Sequence, residues 1–125
     1  MRKVIVNEFM SLDGVMQAPG EPEEDPSGGF AHGGWHMRYM QDEGAMKWVV
    51  ASIVEAGGFL LGRRTYEIFA AHWPNAPEEE QVIAAPLNTK PKHVVSTTLT
   101  EPLEWQNSTL VEGEGGRGGG GAEAS

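Results

Sequence analysis

The apolar positions of this chain change period along its length, and the changes divide it into elements. Residues 3–10, "KVIVNEFM", form an apolar, β-branched run that predicts an opening strand buried on at least one side. "SLDGVM" then turns at Asp13-Gly14. Residues 17–34, "QAPGEPEEDPSGGFAHGG", are rich in Pro, Gly and acid and predict a long exposed loop, either disordered or functional. From Glu43 the spacing becomes helical. Met46, Val49, Val50, Ile53 and Val54 follow the i, i+3, i+4, i+7, i+8 rule, and Ala56-Gly57-Gly58 supplies the stop.

Phe59-Leu60-Leu61 is a short apolar run that predicts a buried strand, and the pattern resumes from Thr65 as a helix to about His72, with the threonine available to cap its start. "EEEQVIAAPL" predicts a further short helix, "KHVVSTT" a strand, and "STLVEG" one more strand. This order, strand and helix in alternation, predicts α/β architecture with parallel strands. If 59–61 and 92–96 are parallel neighbours, their carboxyl ends share one sheet edge, where open α/β sheets bind ligands. That edge carries Gly62, Arg63, Arg64 and Thr65 from one strand and Ser96 and Thr97 from the other. Lys90 and Lys92 begin their strand and point to the opposite edge.

Backbone N–H groups at a helix start, beside two guanidinium groups, suit an anion, and the expected ligand is phosphate. The net charge of −9 argues against a nucleic-acid partner on grounds of repulsion but leaves room for a phosphorylated small molecule held at a local basic spot. At 125 residues the chain has room for one domain. It has no cysteine, so disulfides and thiolate chemistry are excluded. No run reaches the length of a membrane span and nothing resembles a signal peptide, so a cytoplasmic protein is the default expectation.

Each feature also has a plainer reading. Arg63 and Arg64 could pair with Glu67 or the acidic loop, and Ser96-Thr97-Thr98 could be ordinary turn residues. Asp13 before Gly14 is a turn former. His32 and His36 are four apart, but Gly33-Gly34 between them oppose a helix, so no metal site is expected. Trp35, Trp48, Trp73 and Trp105 read as core or rim aromatics, with Trp35, at the end of the long loop, the one to consider for a substrate pocket.

The succession "NEFMSLDGVM", an acidic loop ending in "GGW", "FLLGRRTYEIF" and "KHVVSTT" resembles the dihydrofolate reductase-like superfamily. More narrowly, it resembles the reductase domain of the bifunctional riboflavin-biosynthesis deaminase-reductase, over roughly residues 2–112. The resemblance implies a dihydrofolate reductase-like sheet with flanking helices and an NADPH-dependent reductase acting on a small molecule. Gly62, Arg63, Arg64 and Thr65 would hold the pyrophosphate and adenosine 2′-phosphate of NADPH, and Ser96 and Thr97 would complete the 2′-phosphate site. The loop with Asp13 would border the nicotinamide. Homodimers are common in such relatives, so the resemblance is compatible with one here.

Two departures qualify what the resemblance implies. Where dihydrofolate reductases carry an acidic residue near the start of the first long helix, this chain places Ala45 or Met46, with Asp42 and Glu43 close by but out of register; a reducible substrate other than a pterin is expected. From Gly113, "GEGGRGGGGAEAS" has seven glycines in 13 residues. The expectation is a domain at 1–112, incomplete at its C-terminus, and a disordered tail at 113–125. An inactive nucleotide-binding or interaction fragment is the alternative to a working reductase.

Overall fold

The computed structural model describes residues 3–39 and 41–111. These fall into two units, Met1–Met46 and Lys47–Ser125, the boundary lying within helix α1 (Glu43–Glu55). The composition break at Gly113 and the tail 113–125 lie outside the described residues.

In the first unit, the expected opening strand is not formed. Residues 3–10 join no regular element and are exposed throughout, Val6 to 83%. A β-prone run is stable only where a neighbouring strand takes up its N–H and C=O groups, and among the described residues none does. The turn that follows is as expected. Gly14 takes φ +90° and donates its N–H to Ser11 O at 3.0 Å, while Ser11 N–H donates to Val15 O at 2.9 Å.

The Pro- and Gly-rich stretch is largely exposed but not structureless. Its ends are tied by Gly34 N–H to Ala18 O at 2.8 Å and His36 N–H to Pro19 O at 3.0 Å. The Gln17 amide spans it from within, donating to Asp25 O at 2.8 Å and Ser27 O at 2.9 Å. Single 3₁₀ turns stand at Ser27–Gly29 and Met37–Tyr39. This is a compact loop closed by its own polar groups. Helix α1 then starts where the pattern predicted. Asp42 Oδ1 accepts the Ala45 N–H at 2.9 Å and so satisfies one of the amides at the helix start.

The second unit contains the sheet: β1 (Phe59–Gly62), β2 (Lys92–Val95) and β3 (Ser108–Val111), parallel throughout and in the order β1-β2-β3. Between β1 and β2 run α2 (Arg63–His72) and α3 (Gln81–Thr89). Period-two alternation places Phe59, Leu61, Lys92, Val94 and Leu110 on one face, and the core of Tyr66, Leu87, Val94 and Trp105 packs there, joined by Ile53, Phe69, Trp73 and Ile83. Strand β1 is less buried than its composition predicts. It is an edge strand, and Leu60 on the other face is 53% exposed. Of the four tryptophans, Trp105 is in the core and Trp73 packs against it, whereas Trp48 is exposed.

Both lysines expected away from the carboxyl edge are helix stoppers. The Lys90 ammonium donates to Ala56 O at 2.6 Å and to Ile53 O and Val54 O, closing α1. Lys92 donates to Leu87 O at 2.6 Å, Asn88 O at 3.3 Å and Lys90 O at 3.1 Å, closing α3. Cations at these ends meet otherwise unpaired carbonyls and the negative pole of the helix.

Candidate nucleotide site at the carboxyl edge of the sheet

The register decides which residues meet. Gly62 pairs with Val95 across β1 and β2, so the residues that follow each strand, Arg63-Arg64-Thr65 and Ser96-Thr97, emerge side by side at one edge. This juxtaposition was deduced from spacing and is present in the fold. The expected cap is different. Helix α2 begins at Arg63, with Gly62 as its N-cap at φ −80°, ψ 170°, and among the described residues there is no side-chain cap bond. Thr65 is the third residue of the helix and does not cap it. Glycine serves here because its extended backbone turns the strand directly into the helix.

The result is an uncapped first turn whose leading amides have no partner within the helix. A Cβ built on Gly62 would meet no heavy atom within 4 Å, so the approach to these amides is open. The positive pole of α2 therefore faces accessible space, with two guanidinium-bearing residues on its first turn. That donor set fits a phosphate or pyrophosphate.

Arg63 and Ser96 have local partners among the described residues. Arg63 Nη1 lies 2.5 Å from Glu67 Oε1, one turn along α2, with the side chains 40% and 49% exposed. Ser96 is buried, and its hydroxyl oxygen accepts the N–H groups of Thr98 at 3.1 Å and Leu99 at 3.0 Å. The plainer reading of Ser96 as a turn former is thus realised. Its hydroxyl proton can still be donated, and Thr98 Oγ1 lies 3.3 Å away. Thr97 is exposed.

The residues expected near substrate belong to the first unit. Asp13 is an exposed turn residue whose carboxylate accepts the Ser11 hydroxyl at 2.5 Å, and this bond holds its pKa below the ordinary carboxylate value. Trp35 anchors its own loop, its indole N–H donating to Gln17 O at 2.8 Å while its ring stands edge-on to His36. His36 in turn stacks on Phe9 with centroids 4.3 Å apart. Among the described residues no group of three or more His, Asp or Glu could hold a metal ion. Asp42, near the place where a pterin-binding carboxylate would be sought, is engaged as the α1 cap.

A cleft of about 270 Å³ lies elsewhere, lined by Pro74, Asn88, Glu104, Trp105 and Gln106, toward the ends where β2 and β3 begin. Neither the arginine turn nor Ser96-Thr97 contributes to it. We favour the carboxyl edge because a helix start and two guanidinium-bearing residues converge there, whereas in the cleft Asn88 is already bonded to Trp105 Nε1 at 2.7 Å.

The plainer sequence reading, Arg63 paired with Glu67, is realised alongside the site. The spacing of four between them on a helix was the available signal. Among the described residues no helix is long and apolar enough to cross a membrane. Compared with known families, residues 2–116 match the model of the RibD C-terminal domain. No curated protein matches the chain.

Proposed function

Because the chain belongs to the RibD C-terminal domain family, the reductase domain of riboflavin-biosynthesis deaminase-reductases within the dihydrofolate reductase-like superfamily, we propose that it is an NADPH-dependent reductase of a small heterocyclic or sugar-derived molecule. The observation that carries this reading is the parallel register that sets the open first turn of α2 beside Ser96-Thr97. The amides after Gly62 and the Arg63, Arg64 and Thr65 side chains would hold the cofactor phosphates, with Ser96 and Thr97 completing a 2′-phosphate pocket. When bound, the nicotinamide supplies hydride for a C=N, C=C or open-chain sugar carbon. The chain's own task is to bind and orient: cations and amides fix the phosphates, and the Asp13 turn and Trp35 are assigned to the substrate side. The reading places the protein in the cytoplasm, and the open edge of β1 supports a homodimer.

A second reading is favoured by the local partners of Arg63 and Ser96. In it the chain binds nucleotide, or a protein partner, without reducing anything. Titration of wild type, Arg63→Ala and Arg64→Ala with NADPH and NADH at low and high salt tests the first reading. NADPH should bind more tightly than NADH. Loss of either arginine should weaken NADPH by about 1.5 kcal/mol, the lower end for a bond to a charged group, because the site is exposed. Salt should shrink the difference. Equal affinities in the wild type would overturn the assignment. Preference for NADPH without turnover of any reducible substrate offered would leave the second reading.

A further inference from the structure

We propose that Glu67 competes with phosphate for Arg63 and thereby sets how strongly the site prefers a 2′-phosphorylated cofactor; this rests on the nucleotide reading above. Arg63 and Glu67 are the first and fifth residues of α2, one turn apart on the same face, and their charged atoms are 2.5 Å apart. A carboxylate so close to a helix start occupies the same positive field that attracts a phosphate. It also takes one branch of the guanidinium fork that a phosphate would grip in bidentate fashion.

Both side chains are substantially exposed, so the pair can open without unfolding anything. Its strength is that of a solvent-screened ion pair, within the range of about 0.2–1 kcal/mol. A weak anion gains too little from Arg63 to displace Glu67. A phosphate dianion, with twice the charge and three acceptor oxygens, gains more. The pair therefore lowers the affinity of a ligand that draws Arg63 away from Glu67, and lowers it most for one that grips Arg63 through a phosphate. Glu67 touches neither substrate nor reacting atoms in this scheme; it is a specificity-determining residue that acts through Arg63.

The test is a double-mutant cycle on the full chain with Glu67→Gln, Arg63→Ala and the double variant, titrated with NADPH and NADH at low salt. Glutamine keeps the size and helix propensity of glutamate and removes only the charge. Glu67→Gln should tighten NADPH about three- to fivefold, the upper half of that ion-pair range converted at 1.4 kcal/mol per tenfold. NADH should gain less, and the gain should vanish in the Arg63→Ala background. If wild type prefers NADPH but Glu67→Gln binds it no better, the competition is refuted while the nucleotide reading stands. If the gain persists without Arg63, Glu67 acts by general repulsion and the proposal is wrong. If wild type binds both cofactors equally or neither, the nucleotide reading falls and this proposal with it.

Discussion

The ammonium of Lys92 stands 4.3 Å from the centroid of the Trp105 ring, in a residue with no exposed surface. The ring and the three carbonyls that close α3 favour the cation, but removal from water disfavours it more. Burial lowers its pKa from the ordinary 10.5 to about 8.

The sign of the consequence follows from proton counting. Between pH 8 and 10.5 the unfolded chain keeps this proton and the folded chain has lost it, so stability rises with pH across that window. Below pH 8 both states are charged and the full cost of burying the ammonium is present, on the order of 3 kcal/mol if the whole shift counts. Lys92→Met should remove this dependence while leaving the α3 carbonyls without their donor. Urea denaturation of both proteins at pH 7, 8, 9 and 10 measures it. The stability difference between wild type and variant should move in favour of wild type as the pH rises; a constant difference would show that Lys92 titrates normally.

The two edges of the sheet are not equivalent. On β3, Glu101 Oε1 accepts the Leu110 N–H at 2.8 Å, which occupies a donor that another strand would otherwise use. On β1, the exposed Leu60 accompanies an edge that no strand pairs among the described residues. Glu101→Ala should cost about 1–3 kcal/mol, because the Leu110 amide loses an acceptor in a partly buried place. It should also raise self-association, read as a concentration-dependent mass in light scattering. Destabilisation with an unchanged mass would confine the role of Glu101 to capping the strand.

What could be read from the sequence followed from how local each determinant is. Helices α1 and α2, the turn at Asp13-Gly14 and the strands at 59–62, 92–95 and 108–111 are announced by period and punctuation within a dozen residues. The neighbourhood of Gly62 and Ser96 was also legible, since two strands joined through helices pair in parallel. Residues 3–10 misled because strand propensity says nothing of whether a partner strand is available. The role of Lys92 was hidden for the opposite reason. A lysine at a strand start reads as solvated, although its spacing of two from Val94 places it on the core face. Thr65 looked like a cap because threonine is a favoured one, but Gly62 carries the extended conformation three residues nearer the strand. The Arg63–Glu67 pair and the turn role of Ser96 were legible as the plainer readings of those residues, from helical spacing and turn chemistry.

The last expectation concerns the loop at 17–36 and the closest approach in it. A Cβ on Gly33 would lie 2.1 Å from the backbone oxygen of Pro22 and 2.6 Å from its carbon, where no side chain can yield. Gly33→Ala must therefore push the two limbs apart. That strains the Gly34–Ala18 and His36–Pro19 bonds and, through them, the seat of Trp35 on Gln17 O. Gly57→Ala is the matched control, since its Cβ would meet no heavy atom within 4 Å and its backbone is not left-handed. Loop opening should appear as faster hydrogen exchange at the amides of Gly34 and His36 in Gly33→Ala and not in Gly57→Ala. If Trp35 lines the substrate side, Gly33→Ala should also weaken substrate binding while leaving NADPH affinity near wild type, because the phosphate contacts are assigned to residues 62–65 and 96–97. Unchanged exchange at both amides would mean that the limbs do not meet at Gly33 in solution.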